Sequence, residues 1–272
     1  MNIQYVVVGG SSYRTPGVDK ENDINEDTKV YVLEVNPRSS RTIPFISKVT
    51  GVPMVRLAVN VMLGHSLREQ GYKSGLWEKQ DLVGVKAPVF SMSKLSGVDT
   101  YLGPEMKSTG EVMGIDYDYK SALSKALIAA ELVLKPNGAI LLSIANRDKA
   151  DSVTMIADLV KAGCRLYATA GTADMIQHMG FPVVDVPKRL DEGHPNVLDV
   201  IANGIVDAVI NTVTGDRKEL QDGFQIRRSA ADRRIPCFTS LDTARAAVEI
   251  LANGPGAYNV KPLVSYRKRK PT

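Results

Sequence analysis

Cysteine is nearly absent: Cys164 and Cys237 are the two in 272 residues. They are too few and too far apart for a disulfide framework or a thiolate metal cage, which fits a reducing compartment. Histidine is as scarce, and His65, His178 and His194 lack the spacing of a metal triad, so each is expected at the surface or near a helix end. No apolar run reaches the roughly 18 residues of a membrane span, and the N-terminus has no signal-peptide pattern. A soluble, cytoplasmic protein is expected. Strong charge of one sign is missing too. The net charge of +4 is mild, and part of it sits in the tail Arg267-Lys268-Arg269-Lys270, which reads as a solvated terminus rather than a nucleic-acid or membrane contact. Gly9-Gly10-Ser11-Ser12 is not followed by the lysine of a G-x-x-x-x-G-K loop, so it reads as a flexible turn.

What is present, 44% hydrophobic and 24% charged residues, is enough to bury the core of one large or two ordinary domains. A first strand is expected near residues 3–8, then a polar stretch to residue 28 with almost nothing to bury. Residues 30–45, VYVLEVNPRSSRTIPF, then run from a β-branched and aromatic strand into a loop at Asn36-Pro37, where the missing proline N–H ends the ladder. Glu34 and Asn36, two apart on a strand, share a face. A carboxylate and an amide oxygen side by side suit Mg²⁺ that also bridges phosphates, and Arg38 and Arg41 just beyond can meet phosphate oxygens. A solvated sheet edge has the same composition.

Further along, Val55, Leu57, Ala58, Val61 and Met62 have helical core spacing, with Gly64 placed to end the helix. Trp77, the single tryptophan, stands in a polar stretch as an anchor for a larger complex or a local apolar contact. Residues 83–98 alternate well enough for a strand pair. A helix is expected from about 118 to 134, stopped by Pro136-Asn137-Gly138.

From residue 139 the rhythm becomes strand, helix, strand, helix. Strands are expected at 139–144, 165–168, 183–186, 208–212 and 237–239, with helices near 150–162, 172–179, 196–203, 223–232 and 241–252. This alternation means a parallel sheet covered on both faces, with ligands at the carboxyl ends of its strands. Those ends carry Ser143 with Asn146-Arg147-Asp148-Lys149, then Thr169-Ala170-Gly171-Thr172, then Asn211-Thr212-Val213-Thr214-Gly215. Any one of these loops alone is a helix cap or a turn. Three hydroxyl-rich loops beside a lysine make a phosphate pocket.

Two family resemblances add to these readings. The run EVNPRSSRTIPFISKVTGVP resembles the end of an ATP-grasp domain, in particular the second ATP-grasp half of the carbamoyl-phosphate synthetase large chain. The resemblance implies that Glu34 and Asn36 bind Mg²⁺ or Mn²⁺ and that Arg38 and Arg41 lie near the transferred phosphoryl group. The opening Met-Asn-Ile-Gln resembles the family's M-N-x-Q strand, which makes Gln4 a ligand of the same metal, although residues 9–28 stand where relatives have a short turn. The block from Gly103 to Gly114, GPEMKSTGEVMG, resembles the family's finish to that lobe. The ATP-clamping lysines, adenine hinge and glycine-rich lid of the family are not in this chain, so ATP is a substrate whose site lies mostly elsewhere, and the isolated chain is expected to be inactive.

Residues from about 139 to 255 resemble the methylglyoxal-synthase-like domain, which serves that family as an allosteric domain for UMP or IMP. The resemblance implies phosphate contacts from Lys149, Thr169 and Thr172, further contacts from Ser143 and Asn211, and a charged donor at Arg189. Val213 stands where a hydroxyl is common. Ala87 and Cys237 stand where the acidic and tyrosine positions of ornithine-activated relatives fall, so no ornithine response is expected. The expected fold class is therefore α/β, with residues 1–131 forming the terminal lobe of an ATP-grasp domain. Residues 132–272 form a parallel-sheet, three-layer methylglyoxal-synthase-like regulatory domain. The implied function is that of the C-terminal portion of an ATP-dependent, glutamine-hydrolysing carbamoyl-phosphate ligase of pyrimidine and arginine biosynthesis. Its partners would be the missing N-terminal portion, a glutaminase small subunit and further copies of itself, with no nucleic acid and no membrane. A free-standing nucleotide-binding regulator and a lyase acting on dihydroxyacetone phosphate are the alternatives.

Overall fold

The computed structural model describes residues 2–8, 29–73, 75, 77–90, 108–188, 193–213, 217–252 and 260–267. The chain divides into two compact units, Met1–Glu78 and Lys79–Thr272.

In the first unit, β1 (Asn2–Val8) and β2 (Lys29–Asn36) pair antiparallel, with Gln4 opposite Glu34 and a register shift just after Gln4. Tyr5, Val7 and Val8 on β1 and Val30, Tyr31, Val32, Leu33 and Val35 on β2 are all exposed. Successive strand residues face opposite sides, so both faces of this two-stranded ribbon are bare. After the Asn36-Pro37 turn, α1 (Thr42–Thr50) starts at Arg41 and stops at Gly51, whose left-handed φ of 80° lets its N–H reach the Ser47 carbonyl. A helix stands where the residue pattern predicts a loop; Pro44 lies in its first turn, where proline is tolerated because its missing N–H would have no partner. Helix α2 (Met54–Met62) lies where expected, but of its core-spaced residues Leu57 is buried while Val55, Val61 and Met62 are exposed. Spacing marks an apolar face; burial needs a surface opposite it. Trp77 is half-exposed, its ring 5.7 Å from that of Tyr72.

The second unit opens with β3 (Val83–Val89), which pairs antiparallel with β4 (Gly110–Asp116). The strand pair expected within residues 83–98 is thus one strand whose partner comes later; residues 91–107, with the first part of the GPEMKSTGEVMG block, lie outside the described residues. Helix α3 (Tyr119–Ala129) is capped by Asp118, whose carboxylate accepts from the Ser121 N–H at 2.9 Å. It ends earlier than residue 134, because Glu131 turns into a left-handed conformation (φ 60°), and Leu134 is buried in the segment that follows. α3 packs directly on β4. A Cβ on Gly114 would run into the Ala122 carbonyl oxygen and stand 2.6 Å from the Ala126 nitrogen.

Five parallel strands follow in the order β7-β6-β5-β8-β9: β5 (Ala139–Ser143), β6 (Arg165–Ala168), β7 (Val184–Asp185), β8 (Ala208–Asn211) and β9 (Cys237–Phe238). The helices are α4 (Lys149–Lys161), α5 (Ala170–His178), α6 (Val197–Ala202), α7 (Arg217–Arg233), α8 (Leu241–Ala252) and α9 (Leu263–Arg267). Alternate residues of β5 enter two separate cores. Ile140 and Leu142 pack with Ile156 and Leu159 of α4, Ile176 of α5 and Val248 of α8. Ala139 and Leu141 pack with Val197, Val200 and Ile201 of α6 and Ile226 of α7. That is the three-layer arrangement the alternating pattern called for. No single helix among the described residues is long and apolar enough to cross a membrane.

Asp207, at the entry to β8, holds the start of β5. Its carboxylate accepts from the Ala139 N–H and from the Lys135 ammonium, each at 2.9 Å. The backbone N–H, then the lysine, hold its pKa below the usual carboxylate value of 3.8 against the opposing effect of partial burial. A depressed folded-state value contributes stability above the unfolded one and loses it as pH falls through the folded one. Wild-type unfolding free energy should therefore drop below pH 3.8, and Asp207→Asn should flatten that part of a denaturant-monitored pH series. Gly114→Ala should cost about 2 kcal/mol in urea unfolding, because the backbone of α3 has no room to retreat.

Candidate functional site

The carboxyl ends of β5, β6 and β8 are tied to one another. At the end of β5 the chain leaves the sheet, and two successive backbone N–H groups pass to hydroxyls of neighbouring segments. Ile144 N–H donates to Thr172 Oγ1 at 3.1 Å, and Ala145 N–H to Thr212 Oγ1 at 2.9 Å. The Ser143 carbonyl accepts from the Thr212 N–H at 3.2 Å and from Asn211 Nδ2 at 3.3 Å. Thr169 Oγ1 lies 3.5 Å from Ser143 Oγ. Ser143, Thr169, Thr172, Asn211 and Thr212 are all buried. A buried hydroxyl or amide must find a partner, and these find each other.

Lys149 enters from the first turn of α4. Its ammonium sits against Gly171 at the start of α5, where an added Cβ would lie 3.2 Å from Nζ. Thr169 precedes α5 and its side chain does not cap the helix, so its hydroxyl is left to face Ser143 Oγ. The first N–H groups of α5 and the Lys149 ammonium together favour an anion. The structure thus brings Ser143, Lys149, Thr169, Thr172 and Asn211 to one end of the sheet, whereas Arg189 lies outside the described residues.

Three side chains at this end escaped sequence reasoning. Arg147 donates from Nη2 to the Val213 carbonyl at 2.8 Å. Thr212 was read as part of a loop but not as an acceptor. Arg227 is fully buried and donates from Nη1 to Asn211 Oδ1 at 2.9 Å. The signal for it was there: Gly223, Ile226, Arg227 and Ala230 fall at i, i+3, i+4 and i+7 and are all buried, so the arginine occupies a position of the core-facing stripe of α7.

In the first unit, Gln4, Glu34 and Asn36 share one face of the β1–β2 ribbon, since directly opposed residues of an antiparallel pair project the same way. Asn36 Nδ2 donates to Glu34 Oε1 at 2.8 Å, Glu34 is exposed, and Arg38 turns its guanidinium to the Ser39 carbonyl at 3.1 Å. Arg41 is half-buried at the start of α1. One carboxylate and two amide oxygens fit a hard cation that keeps waters and shares phosphate oxygens, not an all-protein cage. Among the described residues no group of three or more His, Cys, Asp or Glu is placed to hold a metal.

Fold and site define a two-part α/β chain, with a ribbon that groups oxygen-bearing side chains on one face and a parallel-sheet domain whose strand ends gather hydroxyls and a lysine. Residues 18–70 match the family described as carbamoyl-phosphate synthase L chain, ATP binding domain, and residues 151–239 match the MGS-like domain. The carbamoyl phosphate synthase large chain of Thermomicrobium roseum is 54% identical over 241 residues, which is 89% of this chain and 22% of that one. The large chain from a Thermoanaerobacter species is 51% identical over 223 residues, 82% of this chain and 20% of its own. A solved methylglyoxal synthase from Elizabethkingia anophelis matches half of this chain and 95% of its own at 19% identity, with a TM-score of 0.34. The chain is thus similar to carbamoyl phosphate synthase large chains over most of its own length, and it spans about a fifth of the length of those curated relatives.

Thr172→Val removes the buried acceptor of the Ile144 N–H and should cost about 1–3 kcal/mol in chemical denaturation, whereas Thr172→Ser should cost much less.

Proposed function

We propose that the chain works as the C-terminal portion of a glutamine-hydrolysing carbamoyl-phosphate synthase large subunit in the cytoplasm, serving pyrimidine and arginine biosynthesis. It contributes part of the site at which ATP phosphorylates carbamate, and all of an allosteric nucleotide domain. The observation that carries this is the identity of 54% across 241 residues, 89% of this chain. In this reading the boundary between the ATP-grasp portion and the regulatory domain falls near residue 131.

Gln4, Glu34 and Asn36 hold Mg²⁺ or Mn²⁺, which when bound neutralises phosphate charge during transfer. Glu34 supplies the negative charge. The hydrogen bond from Asn36 keeps its carboxylate turned toward the shared face. Arg38 and Arg41 meet the phosphoryl oxygens, a task that needs positioning and charge more than covalent chemistry. The remaining ATP contacts come from the rest of a large chain, the ammonia from a glutaminase subunit, and the assembly contains several copies of this chain. By itself the chain is inactive; the bare apolar faces of the β1–β2 ribbon support this, because such a surface is costly to leave in water.

In the regulatory half, Lys149, Thr169 and Thr172 bind the phosphate of UMP or IMP, with Ser143 and Asn211 as further contacts and Arg189 as an added cation. A second reading, a free-standing nucleotide-binding regulator, is favoured by one observation: the Lys79–Thr272 unit has its own two-sided core and strand ends already bonded together.

Calorimetric titration of UMP and then IMP into the purified chain tests the regulatory half. Binding of one of them is expected, with Lys149→Ala weaker by about 30-fold, the cost of one charge-assisted contact; absence of binding by both overturns the assignment. Mixing the chain with the remainder of a large chain and its glutaminase should yield ATP-dependent carbamoyl phosphate formation, and Glu34→Ala should lower that rate by about 100-fold. Restoration with equal rates for wild type and Glu34→Ala would remove the metal assignment.

A further inference from the structure

We infer that Arg227 is a positioning residue of the anion pocket, which makes Asn211 a hydrogen-bond donor and so leaves the rim offering protons to a phosphate-bearing ligand. The inference rests on the nucleotide reading above and goes beyond it in assigning a role to a residue on α7 and a rule of ligand selection.

Arg227 has no solvent exposure, and its Nη1 donates to Asn211 Oδ1 at 2.9 Å. A guanidinium carries donors and no acceptor, so the oxygen of the Asn211 amide has to face it. The amide nitrogen then turns the other way, where it donates to the Ser143 carbonyl at 3.3 Å. That nitrogen carries two protons, and this bond takes one. Gly223, one turn before Arg227, permits the approach. A Cβ there would collide with Arg227 Nη1, stand 3.1 Å from Asn211 Oδ1 and 3.3 Å from Val213 Cγ1.

The neighbours share the same polarity for independent reasons. The hydroxyl oxygens of Thr172 and Thr212 each receive a backbone N–H, from Ile144 and Ala145, which leaves the hydroxyl protons to be given elsewhere. Lys149 can only donate. A ligand rich in acceptors satisfies such a rim, whereas a ligand without the phosphate brings fewer acceptors and leaves buried donors unpaired. Without Arg227 the Asn211 amide is free to rotate and present its oxygen instead.

The test compares wild type, Arg227→Lys and Arg227→Met in calorimetric titrations with UMP and with uridine, alongside a UMP titration of isotope-labelled wild type followed through the Asn211 side-chain amide signals. Lysine still donates to Oδ1 and methionine does not. Arg227→Met should weaken UMP by about 30-fold and lower the preference for UMP over uridine, while Arg227→Lys stays within about fivefold of wild type. General damage to the fold would weaken both ligands together and leave the preference unchanged. The Asn211 amide signals of wild type should shift on UMP addition, an arm that does not depend on the folding of any variant. The inference is overturned if Arg227→Met keeps UMP affinity within about twofold, if Arg227→Lys is as weak as Arg227→Met, or if the Asn211 signals do not move. Wild type that binds neither UMP nor IMP overturns the nucleotide reading itself and this inference with it.

Discussion

Two backbone N–H groups, those of Ile144 and Ala145, leave the sheet at the end of β5, and this end of the parallel sheet is arranged around satisfying them. Buried donors of this kind cost more unpaired than they return when paired. Their acceptors are hydroxyls from two different segments, Thr172 in α5 and Thr212 after β8. The strand ends are therefore held at one spacing. Because both bonds use the hydroxyl oxygen, the arrangement that stabilises the loops also leaves the hydroxyl protons to be donated elsewhere.

A second layer of the same logic lies beneath. Asn211 joins β8 to Ser143 through its nitrogen and to Arg227 through its oxygen, and a helix can bring a guanidinium that close only where Gly223 leaves out a side chain. Burying a cation is expensive, so the site keeps it at a cost to stability that an apolar residue would avoid. The core below supplies the rigidity for this. β5 is covered on both faces, with Ile140 and Leu142 in one cluster and Ala139 and Leu141 in the other.

The first unit follows the opposite principle. Its ribbon carries the donor set Gln4, Glu34 and Asn36 on one face, yet its apolar side chains and much of α2 are bare. A two-stranded sheet has no interior of its own. The contrast between the two units is one of completeness: the sheet domain buries what it was built to bury, and the ribbon displays a face that the pattern of its residues intends for burial.

Much of this was legible in the amino acids. The alternation after residue 139 yielded all five strands to within a residue or two, because short apolar runs between helical segments mark strands of a covered sheet, as Ala139 to Leu142 do. Glu34 and Asn36 could be placed together because a period of two is local geometry, and the loops carrying Thr169, Thr172 and Asn211 could be placed at one edge because parallel topology puts them there. The early end of α3 at Glu131 and the start of α1 before Pro44 were not legible because they turn on local backbone conformations that no residue pattern marks, and the pairing of β3 with β4 was not because it joins segments far apart in the chain. Nor was Arg227, whose charge argued for the surface although its place in the stripe of α7 argued for the core. The sequence by itself determined which segments become strands and helices and which loops share an edge, because those follow from periodicity and chain direction. Only the tertiary structure decided which way Asn211 faces and which hydroxyl meets which N–H, because hydrogen-bond polarity is settled by partners that the chain brings together from positions far apart.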